Sequence, residues 1–247
     1  ECPAPGEVRV TYWGGRGRCE PLRCILAAAG VDFANCFLTA ESGRSELARL
    51  RESGTLAYDQ VPLVQLDGLD LVQGTATANY LGRRFGLLPD DPAEAFLAES
   101  VFVSSQDARG PMVGFPFSSY PSPPGAAEYD RTLRELLGPR GLVGRYARKW
   151  EAMLATSGGP FFLGSRASIA DCGVFEVLDY FRDVFGTDAY DKTFAAFPHL
   201  KALVVATKDL GRLAEHCDVA RTSYDTWDGS AHTQWGAYAK AVRLTLG

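Results

Sequence analysis

No stretch of about 18 consecutive apolar residues occurs in this 247-residue chain, so no segment is built to cross a bilayer as a helix. Positive charge is also short: 25 Lys and Arg face 30 Asp and Glu, a formal net charge of -5, which argues against a general nucleic-acid binder. The six cysteines (Cys2, Cys19, Cys24, Cys36, Cys172 and Cys217) include no Cys-x-x-Cys pair, so thioredoxin-type redox chemistry lacks its dithiol. They are too sparse for a disulfide framework, which favours a reducing compartment. His199, His216 and His232 stand at no metal-ligand spacing from them, so no zinc site is expected, and each histidine reads as a surface or capping residue. No signal peptide is readable, although the first residue is Glu rather than Met.

What is present is ordinary for a globular chain: 46% hydrophobic and 22% charged residues. Glu7 to Trp13 alternates with Val8, Val10 and Tyr12 on one side, which predicts a first strand. A glycine-rich turn, Gly14 to Gly17, leads to Pro21, which opens a helix with Leu22, Ile25, Leu26 and Ala29 at spacings of three and four, closed by Gly30. Val31 to Leu38 reads as a second strand and Ser45 to Glu52 as a short helix. Pro62 to Leu66 and Leu69 to Val72, joined by Asp67-Gly68, predict a tight hairpin. A helix follows from Gln73-Gly74 to about Phe85. This βαβ-α-ββα order is a thioredoxin-like pattern. Gly86 to Pro92 is a linker, and beyond it only helices are read: Ala93 to Ala108, about Tyr129 to Leu154 with a break at Gly138-Pro139, one from Ser168 and one from Pro198. Gly110 to Gly125, with five prolines, reads as irregular, and Ser168 with Asp171 as a capping box.

Taken singly, the chemical candidates are ambiguous. Tyr12 is either a core aromatic or a catalytic hydroxyl, and Arg16 and Arg18 either solvated loop charges or part of a site. Pro62 can begin a strand without a ladder donor. Gln73-Gly74-Thr75 is either a helix start capped by Thr75 or an anion site, where unpaired N–H groups and the helix dipole favour negative charge. Asp107 and Arg145 alone are surface charges. Cys19, at a helix start, is where a thiol pKa tends to fall.

Together, the segments Tyr12 to Phe33, Leu50 to Gly74 and Phe161 to Tyr180 resemble the cytosolic glutathione transferases of the tyrosine type, alpha- and sigma-like. The resemblance implies an α/β thioredoxin-like N-terminal domain over residues 7–86 and an all-α C-terminal domain over 93–247 carrying the acceptor-substrate site. It implies a transferase that joins the thiolate of glutathione, its co-substrate, to electrophilic, mostly apolar compounds, and a cytoplasmic homodimer without nucleic-acid or membrane partners. It leaves open glutathione-dependent isomerisation or peroxide reduction, and a ligand-binding or structural role. The roles implied are a sulfur hydrogen bond from Tyr12, thiolate stabilisation by Arg18, a cis Val61–Pro62 bond with Val61 pairing to the peptide's cysteine, and polar contacts from Arg51, Gln60, Gln73, Gly74 and Thr75. Asp107, with Arg145 nearby, would reach a glutamyl amine across the dimer.

The chemistry is of a reasonable size. A thiol of pKa about 8.5 is a few per cent thiolate at neutral pH. Lowering it by about two units takes roughly 2.7 kcal/mol, within reach of one charge-assisted hydrogen bond plus a neighbouring cation. Gly74 stands where the family has Ser or Thr, which predicts weaker or shifted binding of glutathione. Trp235, Tyr238, Ala239, Val242 and Leu246 fall at helical spacing and are expected to form either a lid over the acceptor site or an outer clasp.

Overall fold

The computed structural model describes residues 7–39, 42–119 and 122–219, with Arg221 and Val242. Among these, the strands are β1 (Val8–Trp13), β2 (Phe33–Leu38), β3 (Leu63–Leu66) and β4 (Leu69–Val72), in the order β2-β1-β3-β4. β1 runs parallel to β2, pairing Val8 with Phe33, and antiparallel to β3, pairing Val10 with Val64. The parallel pair is joined by α1 (Glu20–Ala28), the helical crossover that parallel strands require. β3 and β4 close through Asp67 and Gly68, whose φ values of 54° and 77° make the type I′ turn that suits the twist of a hairpin. α2 (Gly43–Glu52) precedes the hairpin and α3 (Gly74–Arg84) follows it, so this half is thioredoxin-like as expected.

The rest of the described chain is helical: α4 (Pro92–Gly114), α5 (Ala126–Leu137), α6 (Arg148–Thr156), α7 (Ile169–Phe185), α8 (Thr187–Phe194), α9 (Pro198–Lys208) and α10 (Leu213–Asp218). A 3₁₀ turn spans Phe115–Phe117, and a π-helical stretch, Leu142–Ala147, leads into α6. The predicted break at Gly138-Pro139 is present, since α5 stops at Leu137.

α1 is buried along its whole length, Glu20 included, because α3, α7 and α10 pack on it and its apolar side chains share one core with Val8 and Val10 of β1. α7 is the central helix of the second half and packs mainly on α4, where Gly173 makes the approach possible: a Cβ there would lie 2.5 Å from Ser105 Oγ and 2.9 Å from Phe102. The halves also meet at Ile169, whose N–H donates to the Leu87 carbonyl at 2.9 Å and whose side chain covers Gly82.

Two sequence expectations are corrected here. The chain from Gly110 is not irregular throughout: α4 runs through Pro111 to Gly114. An interior proline costs about 3 kcal/mol, but the buried side chains of Met112 and Phe115 each return about 1.5–3 kcal/mol by leaving water. Thr75 is not an N-cap: Gln73, at φ 70°, holds that position, and Thr75 lies inside the first turn of α3. Of the predicted C-terminal stripe, Trp235, Tyr238, Ala239 and Leu246 lie outside the described residues, and Val242 is buried.

Candidate active site

A cleft of about 520 Å³ opens between the two halves. Three loops of the first half reach it: the start of α1 with Arg18, Pro21 and Leu22; the segment Gln60, Val61 and Pro62; and the start of α3 with Gln73, Gly74 and Thr75. α4 forms the opposite wall with Phe102, Gln106, Asp107, Arg109, Gly110, Val113 and Gly114.

Each loop has a backbone peculiarity that aims it. The Val61–Pro62 peptide is cis, as the resemblance implied. Gln73 holds a positive φ, sparsely populated for residues other than glycine, and the first backbone N–H groups of α3 follow it at the cleft. Gly17, at φ 38°, crosses directly over the Tyr12 ring: a Cβ there would lie 2.5 Å from Tyr12 Cε1 and 2.6 Å from its hydroxyl.

Tyr12, one residue before the end of β1, is half-buried, and its hydroxyl accepts a hydrogen bond from the Arg18 backbone N–H at 3.0 Å. Burial raises its pKa above the ordinary 10, outweighing that bond and the pull of Arg109 and Arg23. The phenol therefore keeps its proton at neutral pH and can act as a donor.

The predicted residues are not all gathered in one place. Arg18, Gln60, Val61, Pro62, Gln73, Gly74, Thr75 and Asp107 line the cleft, and Tyr12 lies beneath its Arg18 edge. Arg51 does not line it: Nε and Nη2 donate to the Asp59 carbonyl at 3.1 and 2.9 Å, bracing the turn before Gln60. Arg145 sits in the π-helical stretch over the ring of Tyr146 and is not among the cleft-lining residues. Nothing lies within 4 Å of a Cβ built on Gly74, so no neighbour forces glycine there.

Sequence reasoning missed the charged cluster behind the cleft. Arg16, read as a possible solvated charge, is buried, and its Nη2 donates to Glu176 Oε1 and Asp179 Oδ2, both at 3.1 Å. Arg109 pairs with the same Glu176, and both guanidiniums lie within 5 Å of the Tyr180 ring centroid, at 4.7 and 4.9 Å. Glu20, from α1, accepts from Arg221 Nε at 2.6 Å and meets His216 Nε2 at 2.9 Å and Arg23 Nη1 at 3.3 Å. Arg221 also pairs with Asp179. These cations hold Glu20 and Asp179 well below the usual carboxylate range, although burial alone pushes the other way. One signal was available: Glu176, Asp179 and Asp183 recur at i, i+3 and i+7 on a helix whose middle is otherwise largely apolar, which calls for buried cations opposite.

His216 is therefore not a surface residue. Its Nε2, Glu20 and the Cys24 thiol come within 4.8 Å of one another, a grouping of possible metal ligands that no local spacing announced. The Arg221 guanidinium already occupies it, bonded to Glu20 and 3.7 Å from Cys24 Sγ, so the cation held there is the protein's own. Cys19 is corrected too. Full burial pushes its thiol up to about 11, overriding the helix start and the nearby Arg23.

Residues 8–83 match the family model described as glutathione S-transferase, N-terminal domain, and residues 140–218 the one described as glutathione S-transferase, C-terminal domain. Glutathione S-transferase alpha-3 of Rattus norvegicus is 34% identical over 206 residues, covering 83% of this chain and 86% of that protein. The chain belongs to the glutathione S-transferase family. Another relative, glutathione S-transferase A3 of Homo sapiens, is 29% identical over 83% of this chain and 85% of its own. Among solved structures, the Pi-class glutathione S-transferase of Onchocerca volvulus superposes with a TM-score of 0.70 at 22% identity, covering 92% of this chain and 99% of that one. Prostaglandin synthase D of Nilaparvata lugens has the same fold, with a TM-score of 0.64 at 20% identity over 86% of this chain and 98% of its own. The cleft thus lies between the two halves of a glutathione S-transferase fold.

Proposed function

We propose that this glutathione transferase binds glutathione along the N-terminal wall of the cleft and delivers its thiolate to electrophilic, mostly apolar acceptors held against α4. The observation that carries the reading is the convergence on one cleft of the cis Val61–Pro62 segment, the start of α3 at Gly74 and the Tyr12–Arg18 loop. The donor set suits the ligand, which has two carboxylates, one ammonium and a thiol. Backbone N–H groups at Gly74 and Thr75 take a carboxylate at the positive end of the helix dipole. Val61 pairs with the cysteinyl backbone, and Gln60 and Gln73 hold polar groups; Asp107, expected to act across the dimer, lines its own protomer's cleft and takes the ammonium from there. Tyr12 donates its retained proton to the sulfur, and Arg18 adds positive charge beside it. Phe102, Val113 and Leu22 supply apolar surface for the acceptor.

We place the enzyme in the cytoplasm as a homodimer. Phe96, 71% exposed on α4, and Tyr58 in the loop before Pro62 offer apolar contact to a second copy. In the present geometry Arg51 braces the turn at Asp59, so its contact with glutathione requires the side chain to swing.

Ultraviolet difference titration of bound glutathione tests the reading. The wild type should show thiolate absorbance developing about two pH units below free thiol, and Tyr12→Phe should shift it back by at least one unit with little change in affinity. A wild type that binds only the neutral thiol would exclude this mechanism.

A further inference from the structure

Arg109 of α4 lines the cleft yet is only 3% exposed. Its polar contacts run side-on to one carboxylate: Nη2 donates to Glu176 Oε1 at 2.8 Å and Nε to Oε2. Glu176 is itself fixed, since Arg16 Nη2 donates to the same Oε1 at 3.1 Å. The Tyr180 ring, 4.9 Å from the Arg109 guanidinium, packs against it. The third nitrogen differs. Nη1 makes no hydrogen bond among the described residues, and it is not among the buried unpartnered atoms sealed from solvent. With two nitrogens of this cleft-lining side chain engaged, Nη1 is the one left to serve the cleft. Its charge also bears on the Tyr12 hydroxyl, the group that meets the sulfur in the glutathione reading.

This arrangement is a preorganised donor. The side chain need not reorient to meet developing charge, and its surroundings exclude bulk water, which is where such a donor is worth most. Arginine stays protonated, so the group can donate hydrogen bonds but not act as an acid.

Resting on the glutathione reading above, we propose that Arg109 is a further catalytic residue, selective for acceptors that gather negative charge on oxygen as the sulfur adds. With a conjugated carbonyl, the thiolate pair forms the C–S bond at the β-carbon. The alkene π pair moves to the bond between the α-carbon and the carbonyl carbon, and the carbonyl π pair moves onto oxygen. The resulting enolate oxygen accepts from Nη1. Water then protonates the α-carbon, and the hydroxide left balances the proton that the thiol released. Nothing is oxidised and no group leaves. Displacement of a halide from a saturated carbon puts the charge on the halide instead, so no oxygen is there for Nη1 to hold.

The test compares kcat/KM for a conjugated enone and for iodomethane in the wild type and Arg109→Met, with glutathione affinity measured by calorimetry in both. The enone-to-iodomethane ratio should fall on the order of 100-fold in the variant, the low end of the loss of one oxyanion donor. Arg109→Lys, which keeps a cation for Glu176 but no second donor nitrogen, should lower the same ratio and serves where Arg109→Met does not fold. An unchanged ratio, or equal losses with both acceptors, overturns the proposal while leaving the glutathione site standing. A wild type that does not bind glutathione overturns the site reading itself.

Discussion

At Gly17 a single hydrogen decides where a phenol can sit. The residue combines a φ of 38° with a backbone that crosses within van der Waals reach of the Tyr12 ring, so both conformation and space call for glycine. Gly17→Ala should cost about 1–3 kcal/mol in stability. It should also lower kcat/KM at least 10-fold, because the added methyl pushes the Tyr12 hydroxyl off the Arg18 N–H. Circular dichroism with steady-state kinetics checks it; a variant with full activity would show that Tyr12 does not need this seat. At this scale legibility followed locality. Tyr12, Val61, Pro62 and Gly74 belong to contiguous motifs and could be singled out from the sequence. Glu20 with His216, or Arg16 with Glu176, are partners about 160 to 200 positions apart, so no window contains both. The same limit hid the burial of Cys19, whose neighbours in sequence suggest an activated thiol and whose neighbours in space suppress one.

Among the elements, α7 carries the clearest start. Ser168 and Asp171 form the capping box, and Asp171 also accepts the Phe162 N–H at 2.9 Å, tying the preceding loop to the helix end. Burial raises the Asp171 carboxyl from 3.8 to about 6 despite those bonds. A folded-state pKa above the unfolded value means that its contribution is full below pH 3.8 and is lost as pH rises to about 6. The shift corresponds to about 3 kcal/mol. Asp171→Asn should be less stable overall, because its amide cannot accept from all three donors, but it should lack this slope. Urea unfolding of both proteins between pH 4 and 7 measures it, and parallel curves would refute the assignment. Glu20 and Asp179 act in the opposite sense, their stabilisation fading as pH falls through their lowered pKa values, so only the difference between the two proteins isolates Asp171. Strands, the hairpin turn and this cap were readable because each follows a local rule. α4 beyond Gly110 was not, because the packing of Met112 and Phe115 decides against the proline. α8 was missed because eight residues with only Tyr190 and Phe194 buried give too short a pattern.

For the whole molecule, the described halves share more than a cleft. α1 has no face of its own toward solvent, and Arg16, Glu20 and Arg23 from the first half share one charge cluster with Arg109, Glu176 and Asp179 from the second. Separating the halves would strand buried charges, at about 3–5 kcal/mol for each broken partner. Scanning calorimetry should accordingly give one transition, and Glu176→Gln should lower its midpoint without splitting it. Two resolved transitions would mean that the cluster does not couple the halves. The shared carboxylate has a consequence for recombination. A hybrid joining this N-terminal half to the helical half of another transferase would inherit Arg16 without Glu176 to receive it. Such exchanges should succeed only where the donor supplies an acid at the same place, so that crossover points in this fold are limited by matching charge as much as by sequence similarity.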